Sequence, residues 1–159
     1  MAAGYQIIDE PRPGNLSRLT VDPLWPLLSF MFGGVFISWA WSVFNSAVMG
    51  SPTRNREIMA VAFGLLGYFA LLFGMDFLVR SELVAGLSHS YTRILLIGFA
   101  LVPSYYIYLK QSAAFELYEY FGGAVFNGIP LLVVAYLVGG KLQQYLVAAV
   151  WNGVQPWIR

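Results

Sequence analysis

The sequence contains no cysteine and a single histidine among its 159 residues, and only 11% of its residues are charged. The absence of cysteine excludes disulfides, thiolate metal sites, iron–sulfur clusters and cysteine nucleophiles. With one histidine, any metal site would depend on carboxylates and backbone oxygens. We therefore expect neither a metal ion nor another cofactor.

The scarcity of charge also indicates which solvent surrounds the protein. An ordinary soluble domain has about 25% charged and roughly 45–50% apolar residues. This chain has 58% hydrophobic residues and a mean hydropathy of +0.65. So few charges cannot cover a soluble domain, which excludes soluble enzymes, disordered tails and collagen-like chains. The net charge of +1 is spread along the chain and provides no basic patch for nucleic acid.

The common catalytic motifs are missing as well. No G-x-S-x-G, H-E-x-x-H, Walker A or dinucleotide-binding motif occurs in the sequence. Its serines have no neighbouring base that would activate them as nucleophiles. The sequence therefore disfavours an enzyme.

What the chain does contain is four long apolar runs. They cover residues 24–49, 58–79, 94–109 and 121–138. A helix crosses a bilayer with roughly 20 apolar residues, and lipid requires each backbone amide to be paired within its own segment. The runs lack the alternation of membrane strands. We predict an all-α integral membrane protein with four transmembrane helices packed as a four-helix bundle.

The predicted spans divide the chain into three parts. Residues 1–22 are the most polar and predict an extramembrane arm, since they lack the apolar run of a signal peptide. Residues 23–140 form the transmembrane domain, whose last helix is predicted to stop at Gly139-Gly140. Residues 141–159 place apolar side chains at the spacing of one helical face, which predicts a short amphipathic helix in the membrane interface. The alternative is a re-entrant or partner-packed segment.

An even number of spans predicts that both termini share one side of the membrane. That side would also hold the loop at 80–93 and would carry six basic residues against three. The six are Arg12, Arg18, Arg80, Arg93, Lys141 and Arg159, and the three are Arg54, Arg56 and Lys110. The positive-inside rule then predicts cytoplasmic termini. Short loops, and seven arginines to two lysines, favour a bacterial inner membrane.

Two of the predicted spans have faces of small residues, which allow another helix to approach closely. In the second span the face consists of Ala60, Gly64, Gly67 and Gly74. In the first it consists of Gly34, Ser38 and Ser42, with Asn45 one turn further on. These faces either pack the helices of this chain together or dock another protein, and the sequence leaves both possibilities open.

Asp76 is the one ionisable residue inside a predicted span. An aspartate at the centre of a membrane helix costs about 2.5–3.5 kcal/mol on insertion scales. Asp76 lies one turn from the end of its span, however, and Arg80 follows at i+4 on the same face. We predict an interfacial ion pair, and the alternative is a buried contact or a proton or cation site.

Glu116 and Glu119 are three residues apart, so they share a helix face before the predicted fourth span. We interpret them as a solvated helix start, where negative charge is favourable. Paired carboxylates at this spacing also suit acid–base chemistry or a divalent cation. His89 is predicted to be a solvated loop residue.

Three functions from different classes follow. The first is a non-catalytic subunit or scaffold component of a membrane complex, which contacts the bilayer and a protein partner or a second copy. The alternative is a small oligomeric transporter or channel with Asp76, Asn45 and Asn127 lining a polar path. The least favoured is a lipid-active enzyme that uses Glu116 and Glu119.

Overall fold

The computed structural model describes residue 11, residues 14–81 and residues 89–158, and every regular element within them is a helix. A short 3₁₀ helix at Ser17–Leu19 precedes five α-helices. These are α1 (Leu24–Gly33), α2 (Val35–Met49), α3 (Arg54–Arg80), α4 (His89–Tyr120) and α5 (Ile129–Ile158). Most of the predicted arm, Arg12, Arg159 and the side chains of His89, Trp157 and Ile158 lie outside the described part of the chain.

Three of the helices, α3, α4 and α5, are long and apolar enough to cross a membrane. Their 27, 32 and 30 residues correspond to lengths of about 40–48 Å at 1.5 Å per residue. The prediction of an all-α membrane protein is confirmed at this level. Four spans are not confirmed, because the first apolar run forms two short helices of 10 and 15 residues. Helices of about 15 and 22 Å are shorter than the roughly 30 Å of a hydrocarbon core.

The two short helices form an antiparallel hairpin. The Ser38 hydroxyl, one turn into α2, donates a hydrogen bond of 2.8 Å to the carbonyl of Pro26 near the start of α1. Further along α2, the side chain of Asn45 bonds the backbone of Val21, which precedes α1. Helix α2 therefore runs back along α1, and its end lies beside the start of α1.

The hairpin turns at Gly34. Its φ of +85° lies in the region that only glycine adopts without strain. A Cβ at this position would also collide with the side-chain amide of Gln143 on α5. The same amide oxygen accepts a hydrogen bond of 3.1 Å from Val35 N, which supplies a partner for an otherwise unpaired donor at the start of α2.

Helix α5 differs from the prediction at both of its predicted boundaries. Residues 121–128 are not helical, and the expected break at Gly139-Gly140 is wrong, because α5 continues through it to Ile158. Glycine in a helix interior costs about 1 kcal/mol. Gly139 faces the backbone of Gly33 so closely that a Cβ would collide with it. The glycine thus allows α1 and α5 to pack in contact. There is consequently no separate helix at 141–159.

The start of α5 has a local explanation. The Asn127 side chain accepts a hydrogen bond of 3.0 Å from Ile129 N, which caps the first turn. Pro130 follows in that turn, where its missing N–H leaves no bond unmade. These signals place the helix start eight residues later than the start of the apolar run.

The remaining helices alternate in direction along the bundle. Phe99 of α4 packs on Gly67 of α3, and Gln111 of α4 bonds Glu57 of α3, so the two helices are antiparallel. Helix α3 is likewise antiparallel to α2, since Trp39 packs on Gly64.

Helix α5 runs in the direction of α1 and α3. Gly128, immediately before α5, lies against Trp25, and Trp151 further along α5 stacks on Phe73. We call the end of the bundle that contains Thr20, Glu57 and Gln111 the base end, and the end that contains Arg80 and Trp151 the far end. The hairpin turn at Gly34 lies between the two.

The hairpin predicts which parts of the chain share one side of the membrane. Because the chain has no cysteine, single cysteines can be placed at exposed Asn15, Asn55 and Ser81. We expect Asn15→Cys and Asn55→Cys to react with a membrane-impermeant maleimide from the same side of sealed vesicles, and Ser81→Cys from the opposite side. Four complete spans would instead place Asn15→Cys with Ser81→Cys, and that result would exclude the hairpin as membrane topology.

Candidate functional site

A cluster of polar side chains is buried at the base end, between the hairpin and the two helices that pack against it. Asn45 of α2 and Glu57 of α3 are 0% exposed, and Gln111 of α4 is 1% exposed. Polar groups in such surroundings are stable only when their hydrogen bonds are made. The hydrogen bonds of the cluster therefore fix α2, α3 and α4 relative to one another.

Gln111 occupies the centre of this cluster. Its amide nitrogen donates bonds of 2.7 Å to the carbonyl of Ser42 and of 2.7 Å to Oε2 of Glu57. Its amide oxygen accepts a longer bond of 3.3 Å from Nδ2 of Asn45. A single side chain of α4 thus joins α2 to α3.

The carboxyl group of Glu57 is surrounded by neutral donors. Besides Gln111, the hydroxyls of Ser51 and Thr53 donate to Oε1 over 2.8 and 2.6 Å. No basic side chain in the described residues forms an ion pair with it. Ionisable groups at such positions are functional candidates by default, because burying them is costly.

Asn45 connects the cluster to the segment that precedes α1. Its amide exchanges two hydrogen bonds with the backbone of Val21, of 2.9 Å from Val21 N and 3.0 Å to Val21 O. Beside these contacts, the buried hydroxyls of Thr20 and Ser46 have no hydrogen-bond partner among the described residues. The cluster therefore combines paired amides with two unused hydroxyl groups.

The sequence patterns indicated Asn45 as a candidate site residue, but they did not indicate Glu57 or Gln111. Both lie just outside apolar runs, where a polar residue usually faces water. For Gln111 a usable signal exists, because the buried residues of α4 continue at spacings of three and four. This series is Ser104, Ile107, Gln111, Ala114 and Tyr118. Glu57 fits a similar series, because the buried residues of α3, which are Glu57, Gly64, Tyr68 and Met75, recur at spacings of seven and four.

Asp76 and Arg80 lie at the far end, away from this cluster. They form an ion pair of 2.7 Å in which the side chains are 36% and 61% exposed, respectively. Arg80 also lies over the ring of Trp151, at 5.7 Å from its centroid. Together with neighbouring aromatic rings they line a cavity of about 310 Å³.

The other predicted site residues are dispersed. Asn127 is the exposed cap of α5. Glu116 and Glu119 are exposed in the last turns of α4 and do not begin a fourth span. The structure therefore does not bring Asp76, Asn45 and Asn127 together. Across the described residues, no group of three acidic or histidine side chains could hold a metal ion.

The small-residue faces mostly pack against this chain. Gly64 meets Trp39, Gly67 meets Phe99, and Gly34 meets Gln143. Around them, Ala60 packs on the apolar core, the Ser38 hydroxyl bonds Pro26, and Ser42 is buried beside Gln111. Only Gly74, of this set, has open space where a Cβ would be.

One basic residue has an unusual position. Lys141 of α5 is exposed, and it follows closely on Gly139, which contacts the hairpin turn. Two residues later, Gln143 accepts a hydrogen bond from Val35 of that turn, and its side chain lies near Tyr68, close to the middle of α3. Lys141 therefore lies halfway along the bundle and not at the surface with the termini, where the sequence predicted it.

Removing the central amide of the buried cluster provides a stability test. Gln111→Ala leaves the buried Glu57 Oε2 without its donor and removes the side-chain bond to the Ser42 carbonyl, so we expect a loss of about 1–3 kcal/mol in the free energy of unfolding. The measurement is unfolding of the detergent-solubilised protein by denaturant. The exposed Gln144→Ala is the matched control and should change stability little. Equal effects of the two substitutions would contradict the role given to the cluster.

Comparison with known proteins identifies no relative. No family model matches the chain, and no curated protein or solved structure is significantly similar to it.

Proposed function

We propose that the protein is a non-catalytic subunit of a membrane complex, and that it binds its partner through one face of α5. The observation that carries the proposal is the exposed Lys141 halfway along the bundle. Three properties of Lys141 bear on its role: its depth in the membrane, the direction in which its side chain points, and the chemistry of the group that it binds.

The depth follows from the neighbours of α5. Tyr68, which lies near the side chain of Gln143, is close to the middle of the apolar part of α3. A lysine at the centre of a membrane helix costs about 2.5–3.5 kcal/mol when its charge is not compensated. Lys141 has no ion-pair partner in the described residues. Its charge is therefore expected to be matched from outside the chain.

The direction follows from the pattern of burial along α5. The side of α5 that faces this chain contains Ala135 and Gly139, which are buried, and Gln143 and Val147, which are partly buried. Lys141 is two residues, or about 200°, from both Gly139 and Gln143, so it points away from the chain. Tyr145 and Gln144 are exposed on the same side. A helix face with a charge, an amide and a phenol is unusual against lipid tails and typical of a helix–helix contact.

The general exposure of α5 agrees with this proposal. In the most apolar 18-residue stretch of α5, only 11% is buried inside the chain. The corresponding share is 17% in α3 and 22% in α4. The small-residue faces at Gly64 and Gly67 are already filled by side chains of this chain. Of the three long helices, α5 therefore has the largest free surface for a partner.

A different protein fits the position of Lys141 better than a second copy of the chain does. In a parallel assembly of identical chains, Lys141 would meet residues of its own depth. The carboxylates with exposed or partly exposed side chains in the described residues are Asp22, Asp76, Glu116 and Glu119. All four lie towards the ends of the bundle. We therefore propose a transmembrane helix of another protein that contributes a carboxylate near the bilayer centre.

The same geometry supports an orientation in the membrane. With the hairpin and three spans, Arg18, Arg54, Arg56 and Lys110 lie towards the base end, and Arg80 and Arg93 towards the far end. The positive-inside rule then favours a cytoplasmic base end and a C-terminal end on the other side. This revises the predicted location of the C-terminus, while the short loops remain the support for a bacterial inner membrane.

Crosslinking in native membranes tests the proposed partner. We expect a photoreactive phenylalanine analogue at Tyr145, which is 72% exposed, to form an adduct of one defined mass. The analogue at Val102 of α4, which is 70% exposed, should give no such adduct. Lys141→Met should reduce the adduct at Tyr145 about tenfold or more, because it leaves the partner's carboxylate unpaired.

The half-buried Lys110 lies over the ring of Tyr106 and provides the matched control, so Lys110→Met should leave the adduct unchanged. An adduct with twice the mass of the chain would show that a second copy occupies the face. An adduct that persists in Lys141→Met would overturn the role of the lysine.

A second candidate function, transport of protons or small cations, is favoured by the buried carboxyl group of Glu57 beside Asn45 and Gln111. If this cluster is on the path, Glu57→Gln should abolish proton or sodium flux into proteoliposomes, while exposed Glu116→Gln preserves it. Absence of flux in the unmodified protein, or flux that survives Glu57→Gln, would exclude this function.

A further inference from the structure

The cavity at the far end combines an apolar wall with a charged one. Phe73, Phe77 and Trp151 form the apolar wall, and Asp76 and Arg80 the charged one. Ser81 and Gln155 complete the lining. The volume of about 310 Å³ is within the range of small-ligand sites. A ligand of this cavity must therefore have both an apolar and a charged part.

The position of the cavity narrows the class of ligand. Asp76 and Arg80 follow the apolar part of α3, and Trp151 lies in the last two turns of α5. Charged residues and tryptophan at the end of a membrane helix mark the level at which lipid headgroups meet acyl chains. An amphiphile already in the bilayer can enter such a cavity sideways, with its chains remaining in the lipid.

The two charged side chains have unused hydrogen-bonding capacity. The ion pair joins Nε of Arg80 to Oδ2 of Asp76, both side chains are partly exposed, and neither has a second ion-pair partner among the described residues. Arginine binds phosphate through its terminal nitrogens. A carboxylate oxygen accepts from an ammonium group. Gln155 adds a further amide with no partner in the described chain.

The aromatic contacts distinguish between types of ammonium group. Phe73 stacks on Trp151 with centroids 5.3 Å apart, and Arg80 lies over the same ring at 5.7 Å. The Phe73 ring and the Arg80 guanidinium therefore both contact this indole. A quaternary ammonium, which lacks N–H groups and binds over ring faces, would compete with them for the ring, whereas a primary ammonium can donate N–H bonds to Asp76.

We propose that this cavity binds the headgroup of an aminophospholipid, with the phosphate on Arg80 and the primary ammonium on Asp76. Each of the two charges of the headgroup then meets a side chain of opposite charge, the phosphate at Arg80 and the ammonium at Asp76. The acyl chains extend past Phe77, which is 63% exposed, into the surrounding lipid.

Native mass spectrometry of the full-length protein tests this assignment. The probes are phosphatidylethanolamine, phosphatidylcholine and phosphatidylglycerol with identical acyl chains, added at equal concentration in detergent. We expect phosphatidylethanolamine to be retained about tenfold more than either of the others. Asp76→Asn and Arg80→Gln should each remove this preference, and Arg80→Lys should preserve part of it, since lysine keeps the charge but loses the planar fork.

Arg93→Gln on α4 is the control for a general loss of positive charge and should leave the preference unchanged. Equal retention of the three lipids overturns the proposal, as does stronger retention of phosphatidylglycerol. A preference that survives both Asp76→Asn and Arg80→Gln assigns the lipid to another surface. Asp76→Glu is the control for misfolding. Because it keeps the carboxylate, it should keep the preference for phosphatidylethanolamine.

Discussion

The helical hairpin depends on hydrogen bonds that side chains of α2, α4 and α5 supply to its backbone. Inside a bilayer an unpaired backbone group costs several kcal/mol, so a chain that reverses direction there requires internal partners. At the turn, Gln143 accepts from Val35 N. At the opposite end, Asn45 bonds both polar groups of Val21, and Gln111 bonds the carbonyl of Ser42. These side chains come from α2, α4 and α5, so the hairpin and the helices around it form one interdependent unit.

Composition and apolar runs were sufficient to predict a helical membrane protein, and the i+4 spacing was sufficient to predict the pairing of Asp76 with Arg80. The break at Gly34 could not be predicted, because a glycine at that spacing is equally compatible with a packing face. Its turn is completed by Gln143, which lies 108 residues from Val35. At Gly139 the local signal for a helix end is overridden by contact with Gly33. Both errors arise from contacts between distant parts of the chain.

The site was predicted less completely for a related reason. Glu57 and Gln111 sit at the margins of apolar runs, where hydropathy alone suggests contact with water. Their burial is produced by the hairpin, which covers the base end with α2 and with the segment around Val21. Lys141 is the opposite case. The same packing that buries Gln143 directs Lys141 outward, so its charge is available to a neighbouring molecule.

The contact between Val35 and Gln143 has a consequence for biosynthesis. The ribosome releases the turn long before the residue that completes it, because α3 and α4 are made in between. Until α5 arrives, Val35 N lacks its final acceptor and Gly33 lacks the helix that covers it. The hydrogen bonding of the hairpin turn can therefore be completed only after α5 has been made and has packed against it.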